Sequence, residues 1–161
     1  MEIPHVNDIQ KELQQKKINT DTNYIKKTNI YVEKLQRASD EYYNNIIEAV
    51  HKSINNMTEN GNQDYMRLDN EILQRAINWG DNKKVSWHWM HYGFIRKGWR
   101  SRDTTPWKRF NIERPFIKAQ NELRKKGWYL VDHSNPLRSF GVYISLYVYP
   151  PDKEKLWHNL N

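Results

Sequence analysis

The sequence predicts an α+β fold in which N-terminal helices, one of them long, pack on a small antiparallel sheet with a C-terminal helix-hairpin unit. Apolar residues recur every three or four positions in the N-terminal part, and β-rich runs bounded by turn signals occupy the C-terminal part. A chain of 161 residues fits one domain with an appendage. We therefore expect a helical appendage over residues 1–20 and a single α+β domain over residues 21–161.

The N-terminal helices are predicted from apolar spacing. Val6, Ile9 and Leu13 lie three and four residues apart and indicate a short amphipathic helix that ends in the polar run after it. A longer helix begins at Asp21 or Thr22, either of which can cap it. Its apolar positions are Leu35, Ala38, Tyr42, Ile46, Val50 and Ile54. These helices also offer a surface through which the chain could form a homodimer.

Turn and cap signals predict the elements that follow the long helix. Gly61 lies between asparagines and ends that helix, so residues 63–69 can form a short extended piece. Asp69 or its neighbour then caps a helix around residues 71–78, which Gly80 ends.

Residues 84–90, KVSWHWM, predict a strand. Val85, Trp87 and Trp89 alternate with Ser, His and Met, which is the period-two pattern of a half-buried strand. We expect the two tryptophans to pack in the core. A polar loop over residues 101–106 follows.

The C-terminal part carries signals for a helix and a hairpin. A helix begins near Asn111, has Pro115 in its first turn and ends at Gly127 after a basic turn. Its predicted apolar side consists of Phe116, Ile117, Gln120 and Leu123. The β-rich runs WYLVDH and FGVYISLYVY then flank a loop and predict an antiparallel hairpin.

The helix-hairpin unit over residues 112–149 resembles part of winged-helix nucleic-acid-binding domains. The resemblance rests on a helix that ends in LRKKGWYLVDHS, a loop that contains Arg138, and the strand VYISLYV. It implies that the helix is a recognition helix and that the basic residue of the wing meets phosphate. A plain α+β sheet domain, of the kind found in small viral accessory proteins, explains the same elements equally well.

Charge is distributed unevenly along the chain. Residues 1–80 hold 10 Lys/Arg and 12 Asp/Glu, whereas residues 81–161 hold 16 and 7. The basic aromatic segment, residues 83–110, has eight Lys/Arg, one acid and seven aromatic rings. Cations bind phosphate and flat rings stack on unpaired bases, so this composition favours a nucleic-acid partner.

The candidate nucleic-acid-binding residues come from this segment and from the helix-hairpin unit. We expect Trp99 and Trp107 to be exposed, because they flank the loop that carries two arginines. The complete predicted set is Arg96, Lys97, Trp99, Arg100, Arg102, Trp107, Lys108, Arg109, Lys118, Lys125 and Arg138.

The sequence offers no metal site, cofactor site or catalytic residue. The chain has no cysteine, and His88 and His91, three apart on a strand, would point to opposite faces. The triplet Asp132-His133-Ser134 has residue types used in hydrolysis, but adjacency in sequence does not build a relay, and we interpret it as a turn. No signal peptide or apolar span is apparent, so we expect a cytoplasmic protein, in the host cytoplasm if the chain is viral.

Three functions follow, in decreasing order of support. The first is a small, basic, non-enzymatic nucleic-acid-binding accessory or regulatory protein, DNA-binding included, encoded by a phage or mobile element. The second is an inhibitor or adaptor that docks its basic face on a host or defence protein. The third is an RNA-cleaving enzyme that uses His133 for acid-base chemistry, which requires a second titrating group nearby.

Overall fold

The computed structural model describes residues 2–61, 64–80, 83–85, 90–91, 105–133 and 144–150. Within these residues the fold is α+β, as the sequence predicts, with helices and two small antiparallel sheets. The chain divides into two compact units, Met1–Leu35 and Gln36–Asn161. In the described ranges, no helix combines the length and the apolar character that crossing a membrane requires.

The first helix, α1, spans Val6–Asn60 as 55 continuous residues. The predicted break in the polar run 16–23 is therefore wrong. Polar side chains lower helix propensity only slightly, and this run contains neither glycine nor proline to stop a helix. The predicted end of the helix is confirmed at Gly61, whose φ of 80° lies in the left-handed region that favours glycine.

Two short elements follow α1. Strand β1 covers Met66–Arg67, within the predicted extended piece, and helix α2 covers Asn70–Leu73. The predicted cap is confirmed, because the Asp69 carboxylate accepts a 2.8 Å hydrogen bond from the backbone N–H of Glu71.

The predicted continuation of α2 to residue 78 is wrong, because Ile77–Gly80 form strand β2. This strand pairs antiparallel with β3, Lys83–Val85. Ile77 is completely buried, and the backbone N–H of Asn78 donates to a carboxylate oxygen of Glu41 2.9 Å away. Strand pairing and burial thus outweigh the local helical pattern.

The strand predicted over residues 84–90 is confirmed only at its start. Strand β3 ends at Val85, and residues 86–89, which include both tryptophans of this run, lie outside the described residues. Met90 and His91 are helical and buried, so the strand prediction is wrong at Met90. Periodicity over so short a run does not separate a strand from a buried helix.

Helix α3 spans Thr105–Arg109, where the sequence predicts the end of a polar loop. That part of the loop prediction is wrong. Pro106 is compatible with the helix because the first turn does not need its missing N–H. The other residues of the predicted loop lie outside the described residues.

Helix α4 spans Pro115–Lys125, so it begins at Pro115 rather than near Asn111. Its predicted end is confirmed: Gly127 has a φ of 84°, and the Trp128 N–H donates to the Leu123 carbonyl at 2.9 Å.

Strands β4, Tyr129–Asp132, and β5, Leu146–Tyr149, pair antiparallel and confirm the predicted hairpin. Strand β1 pairs with the other edge of β5, which gives the sheet order β1–β5–β4. Leu130, Leu146 and Val148 are buried and supply the core side of this sheet.

The helices complete the core beside the sheet. From α1 come the buried Ala38, Tyr42, Ile46, Ala49 and Val50, and from α4 come Phe116, Ala119 and Leu123. The predicted apolar side of α4 is wrong at Ile117, which is 38% exposed. Gln120 is half-buried and donates its side-chain N–H to the Leu130 carbonyl at 2.9 Å, which ties α4 to β4.

The order of a helix, α4, followed by an antiparallel hairpin fits a winged helix and a plain α+β sheet domain equally well. The predicted wing, with Arg138, lies outside the described residues.

Candidate nucleic-acid interface

Five of the predicted nucleic-acid-binding residues lie within the described part of the chain. Trp107, Lys108 and Arg109 are on α3, and Lys118 and Lys125 are on α4. The others lie outside it: Arg96, Lys97, Trp99, Arg100, Arg102 and Arg138.

Trp107 is only 3% exposed, so the prediction of an exposed ring at this position is wrong. The turn after α3 holds the backbone of Trp107 in place, because the Ile112 N–H donates to the Trp107 carbonyl at 3.0 Å. A large ring of this kind is a strong contributor to a core. A buried indole cannot stack on a base, and Trp107 therefore belongs to the fold rather than to a contact surface.

Lys108 and Arg109, which follow Trp107 on α3, are exposed. The Arg109 guanidinium carbon lies 5.4 Å from the centroid of the Phe110 ring. This distance is that of a cation-π contact.

Lys118 and Lys125 come together on α4, where they line one shallow depression. The Lys118 ammonium lies 4.3 Å from the centroid of the Tyr43 ring, and the Lys125 ammonium lies 3.1 Å from a carboxylate oxygen of Glu122. The lining residues are Glu113, Lys118, Asn121, Glu122, Arg124 and Lys125. We call this site the α4 depression.

Two cations near the C-terminal end of α4 were missed in the set predicted from sequence. Arg124 and Lys126 are exposed, and Arg124 lines both the α4 depression and a second depression between α4 and β4. The signal was visible in the sequence as the run RKK, which is also the basic last turn that many helices carry. Because Arg124 and Lys126 are exposed, a structural role at the end of the helix and a contact with a partner are compatible.

The charge of this region is strongly positive. Residues 105–126 hold seven Lys/Arg and two Asp/Glu. One of the two acids, Glu122, pairs with Lys125, and the other, Glu113, accepts a 3.3 Å hydrogen bond from the Asn121 amide. Within the described residues, no carboxylate forms an ion pair with Lys108, Arg124 or Lys126.

A second group of polar residues is buried and was also missed. The Tyr42 hydroxyl lies 2.8 Å from His91 Nδ1, and His91 Nε2 lies 2.8 Å from a carboxylate oxygen of Asp132. Tyr42 and His91 are fully buried, whereas the Asp132 side chain is 23% exposed. Because the ring of Phe116 also contacts the imidazole, with 5.1 Å between centroids, this chain joins α1, β4 and α4.

The three groups can form a complete chain of donors and acceptors. When Asp132 is ionised it can only accept, so His91 Nε2 donates to it. With a neutral imidazole, Nδ1 then accepts from the Tyr42 hydroxyl. Both ring nitrogens of His91 therefore have partners inside the protein.

Arg114, the residue before α4, extends this network. Its guanidinium donates to the backbone carbonyl of His91. Burial lowers the pKa of Arg114 from its ordinary value, while the negative charge of Asp132 acts in the opposite direction. This arginine is half-buried and already used by the fold.

His133 does not form a relay with its neighbour Asp132. His133 Nε2 lies 3.0 Å from the Tyr149 hydroxyl, whereas Asp132 binds His91. Burial raises the pKa of Tyr149 to about 12, so this hydroxyl stays protonated at neutral pH. The prediction of a turn is wrong at Asp132, which lies in β4, and at His133, whose N–H donates to the Ser145 carbonyl at 2.8 Å. Ser134 lies outside the described residues.

Metal binding finds no support in the part of the chain that the structure describes. There, no three His, Asp or Glu side chains lie close enough together to hold a metal ion.

Comparison with known proteins gives no match. The chain matches no protein-family model, no curated protein and no solved structure. The exposed side chains of the described residues therefore carry the functional inference.

Proposed function

We propose that the protein binds nucleic acid without acting as an enzyme, in an accessory or regulatory role, through the solvent-facing side of α3 and α4. The observation that carries the proposal is the set of exposed cations on these two helices and at the end of α4. We call Lys108, Arg109, Arg124, Lys125 and Lys126 the basic surface.

The residues of the basic surface suit phosphate contacts. Phosphates are recognised by Lys as a point charge and by Arg as a planar fork, and both are present. Lys125 is paired with Glu122, but an exposed pair of this kind contributes little and exchanges readily for a phosphate.

The α4 depression supplies a group that can read a base edge. Asn121 is exposed on α4 between the cations, and an asparagine amide can form two hydrogen bonds with adenine. Gln120 is less suited to this role, because it is half-buried and its amide donates to the Leu130 carbonyl at 2.9 Å, whereas the bond from the Asn121 amide to Glu113 is exposed and 3.3 Å long. Phosphate contacts would therefore supply most of the affinity, and Asn121 a modest base preference.

The test is binding of labelled single- and double-stranded oligonucleotides to the full chain over a series of salt concentrations. We expect affinity to fall steeply with salt. The double variant Arg124→Ala/Lys125→Ala should weaken binding at least tenfold at low salt. On a duplex it should also reduce the slope of log K against log salt by about 0.9 for each phosphate that the variant no longer neutralises.

A matched control removes the same charge from a different place. Lys26 and Arg37 are exposed on α1, and the variant Lys26→Ala/Arg37→Ala has the same net charge as the test variant. It should bind within twofold of the wild type. Equal losses in both variants would mean that net charge alone, rather than the basic surface, drives binding, and this would refute the proposal.

A second candidate is a protein partner that the same face would dock on, as an inhibitor or adaptor does. The exposed Ile117 favours it, because an apolar side chain among cations is more typical of a protein interface than of a phosphate contact. Absence of binding to either oligonucleotide at low salt would favour this candidate over the first.

A further inference from the structure

The first part of α1 exposes an unusual amount of apolar surface. Of the ten large hydrophobic side chains that are exposed in the described residues, eight lie between Ile3 and Ile30. They are Ile3, Val6, Ile9, Leu13, Ile18, Tyr24, Ile25 and Ile30. Such a concentration indicates an interaction surface rather than scattered surface apolar residues.

The exposed positions share their spacing with a buried residue of the same helix segment. Leu13, Tyr24 and Leu35 are spaced eleven residues apart, which is close to three helical turns, so they lie on one side of this part of α1. Leu35 is buried, whereas Leu13 and Tyr24 are 59% and 58% exposed.

The intrinsic helix propensity of this part of α1 is low. Residues 6–35 contain nine β-branched residues, four asparagines and no alanine. These residue types favour a helix weakly, and most helices in proteins depend on packing of an apolar side. A helix of this composition needs a partner surface to be stable.

The charges of the same region indicate which partner fits. Residues 2–35 hold six Lys and five Asp/Glu, so two copies would not repel each other. The order along the helix is an apolar stretch with Val6 and Leu13, a polar centre with Lys17 and Asp21, and a second apolar stretch with Tyr24. This order is self-complementary when the second helix runs in the opposite direction.

We infer that two copies of the chain pair through residues 6–31 of α1 as an antiparallel helical dimer. A two-fold axis between residues 18 and 19 sets Leu13 opposite Tyr24 of the second copy and Val6 opposite Tyr31. The same register places Lys17 beside Asp21 of the second copy. A parallel pair would instead set each Lys17 against its own equivalent, which is unfavourable.

The inference is tested by sedimentation of the full chain, free of nucleic acid. We expect twice the mass of one chain for the wild type, and the mass of one chain for Leu13→Glu and for Tyr24→Lys, each measured alone. An equimolar mixture of the two variants should recover the double mass. In an antiparallel pair, the carboxylate introduced by Leu13→Glu faces the ammonium introduced by Tyr24→Lys at one contact, and the other contact keeps the wild-type pair. A parallel pair gains no such contact.

Control variants carry the same charge changes on the other side of the helix. Gln15→Glu and Thr22→Lys should remain dimeric. Circular dichroism should show a folded core in all four variants, because the substituted residues are exposed. Leu13→Glu and Tyr24→Lys, each measured alone, should lose part of the helical signal, because the first part of α1 then lacks its partner surface, whereas the two control variants should keep it. A wild type with the mass of one chain at every concentration would overturn the inference, and failure of the mixture to recover the dimer would overturn the antiparallel register.

Discussion

Two arginines at opposite ends of α4 have opposite environments. Arg114, just before the helix, is half-buried and donates to the His91 carbonyl. Arg124, in the last turn, is exposed and forms no ion pair with a described carboxylate. The comparison shows that a count of cations does not identify a binding surface. What matters is which cations the fold already uses and which remain exposed to a partner.

The largest expected effect is on stability and comes from the buried network. His91→Ala removes an imidazole that binds Tyr42 and Asp132, so each of these groups loses one hydrogen bond to a buried side chain. We expect the free energy of unfolding to fall by about 3 kcal/mol. Chemical denaturation of the full chain measures it.

A more conservative variant provides the control for that prediction. Tyr42→Phe removes one hydroxyl and keeps the ring, so the loss should be about 1.5 kcal/mol. A loss in His91→Ala no larger than that in Tyr42→Phe would mean that the bond to Asp132 contributes nothing.

Arg114→Ala should also lower the free energy of unfolding. The substitution removes the donor for the His91 carbonyl, and we expect a loss of about 2 kcal/mol in the free energy of unfolding. Oligonucleotide affinity, measured under conditions where the variant is folded, should change less than threefold. A strong loss of affinity without a loss of stability would show that Arg114 belongs to the basic surface, and it would contradict the structural role given to this arginine.

Loss of the helix cap at the start of α2 should have a smaller effect on the free energy of unfolding. Asp69 accepts a hydrogen bond from the Glu71 N–H at the start of α2. Asp69→Ala should therefore cost about 1 kcal/mol of unfolding free energy, as loss of a helix cap usually does. Thermal or chemical unfolding at neutral pH measures the change.

The contribution of Asp69 should depend on pH. A hydrogen bond from Lys52 and one from the Glu71 N–H lower the pKa of Asp69 from its ordinary value of 3.8. A lowered pKa means that the stabilisation is present above pH 3.8 and is lost as the pH falls through the folded-state pKa. The difference between wild type and Asp69→Asn should be present at neutral pH and vanish in acid. A difference that grows as the pH falls would contradict this assignment.

The smallest effect on stability should come from the basic surface. Arg124→Ala removes an exposed side chain that makes no described ion pair, so unfolding free energy should change by less than about 0.5 kcal/mol. A larger loss would show that Arg124, like Arg114, serves the fold.

The elements that sequence predicted correctly are those with local signals. The cap at Asp69, the stops at Gly61 and Gly127, and the first-turn Pro115 are each confirmed, because they depend on the conformation of a few adjacent residues. The polar run within α1 was misinterpreted because polarity does not stop a helix.

The features that sequence did not predict depend on distant partners. Tyr42 and Asp132 lie 49 and 41 positions from His91, and no local pattern connects them. The same holds for Ile77, whose strand conformation depends on pairing with Val85, and for Trp107, whose burial depends on tertiary packing.

The candidate surface was predicted in part. Lys108, Arg109 and Lys125 follow from composition and are exposed. Arg124 was not included, because the same basic turn also has a purely structural explanation at the end of a helix. Only exposure, which sequence does not give, separates a cation that the fold uses from one that a partner can use.

The most direct test of this account is to map the amides of the isotope-labelled full chain by NMR while an oligonucleotide is added at low salt. The account predicts that, among the described residues, the largest shifts fall within residues 105–126, while residues 6–35 shift little. Shifts concentrated in residues 6–35, or no shifts at a saturating oligonucleotide concentration, would contradict it.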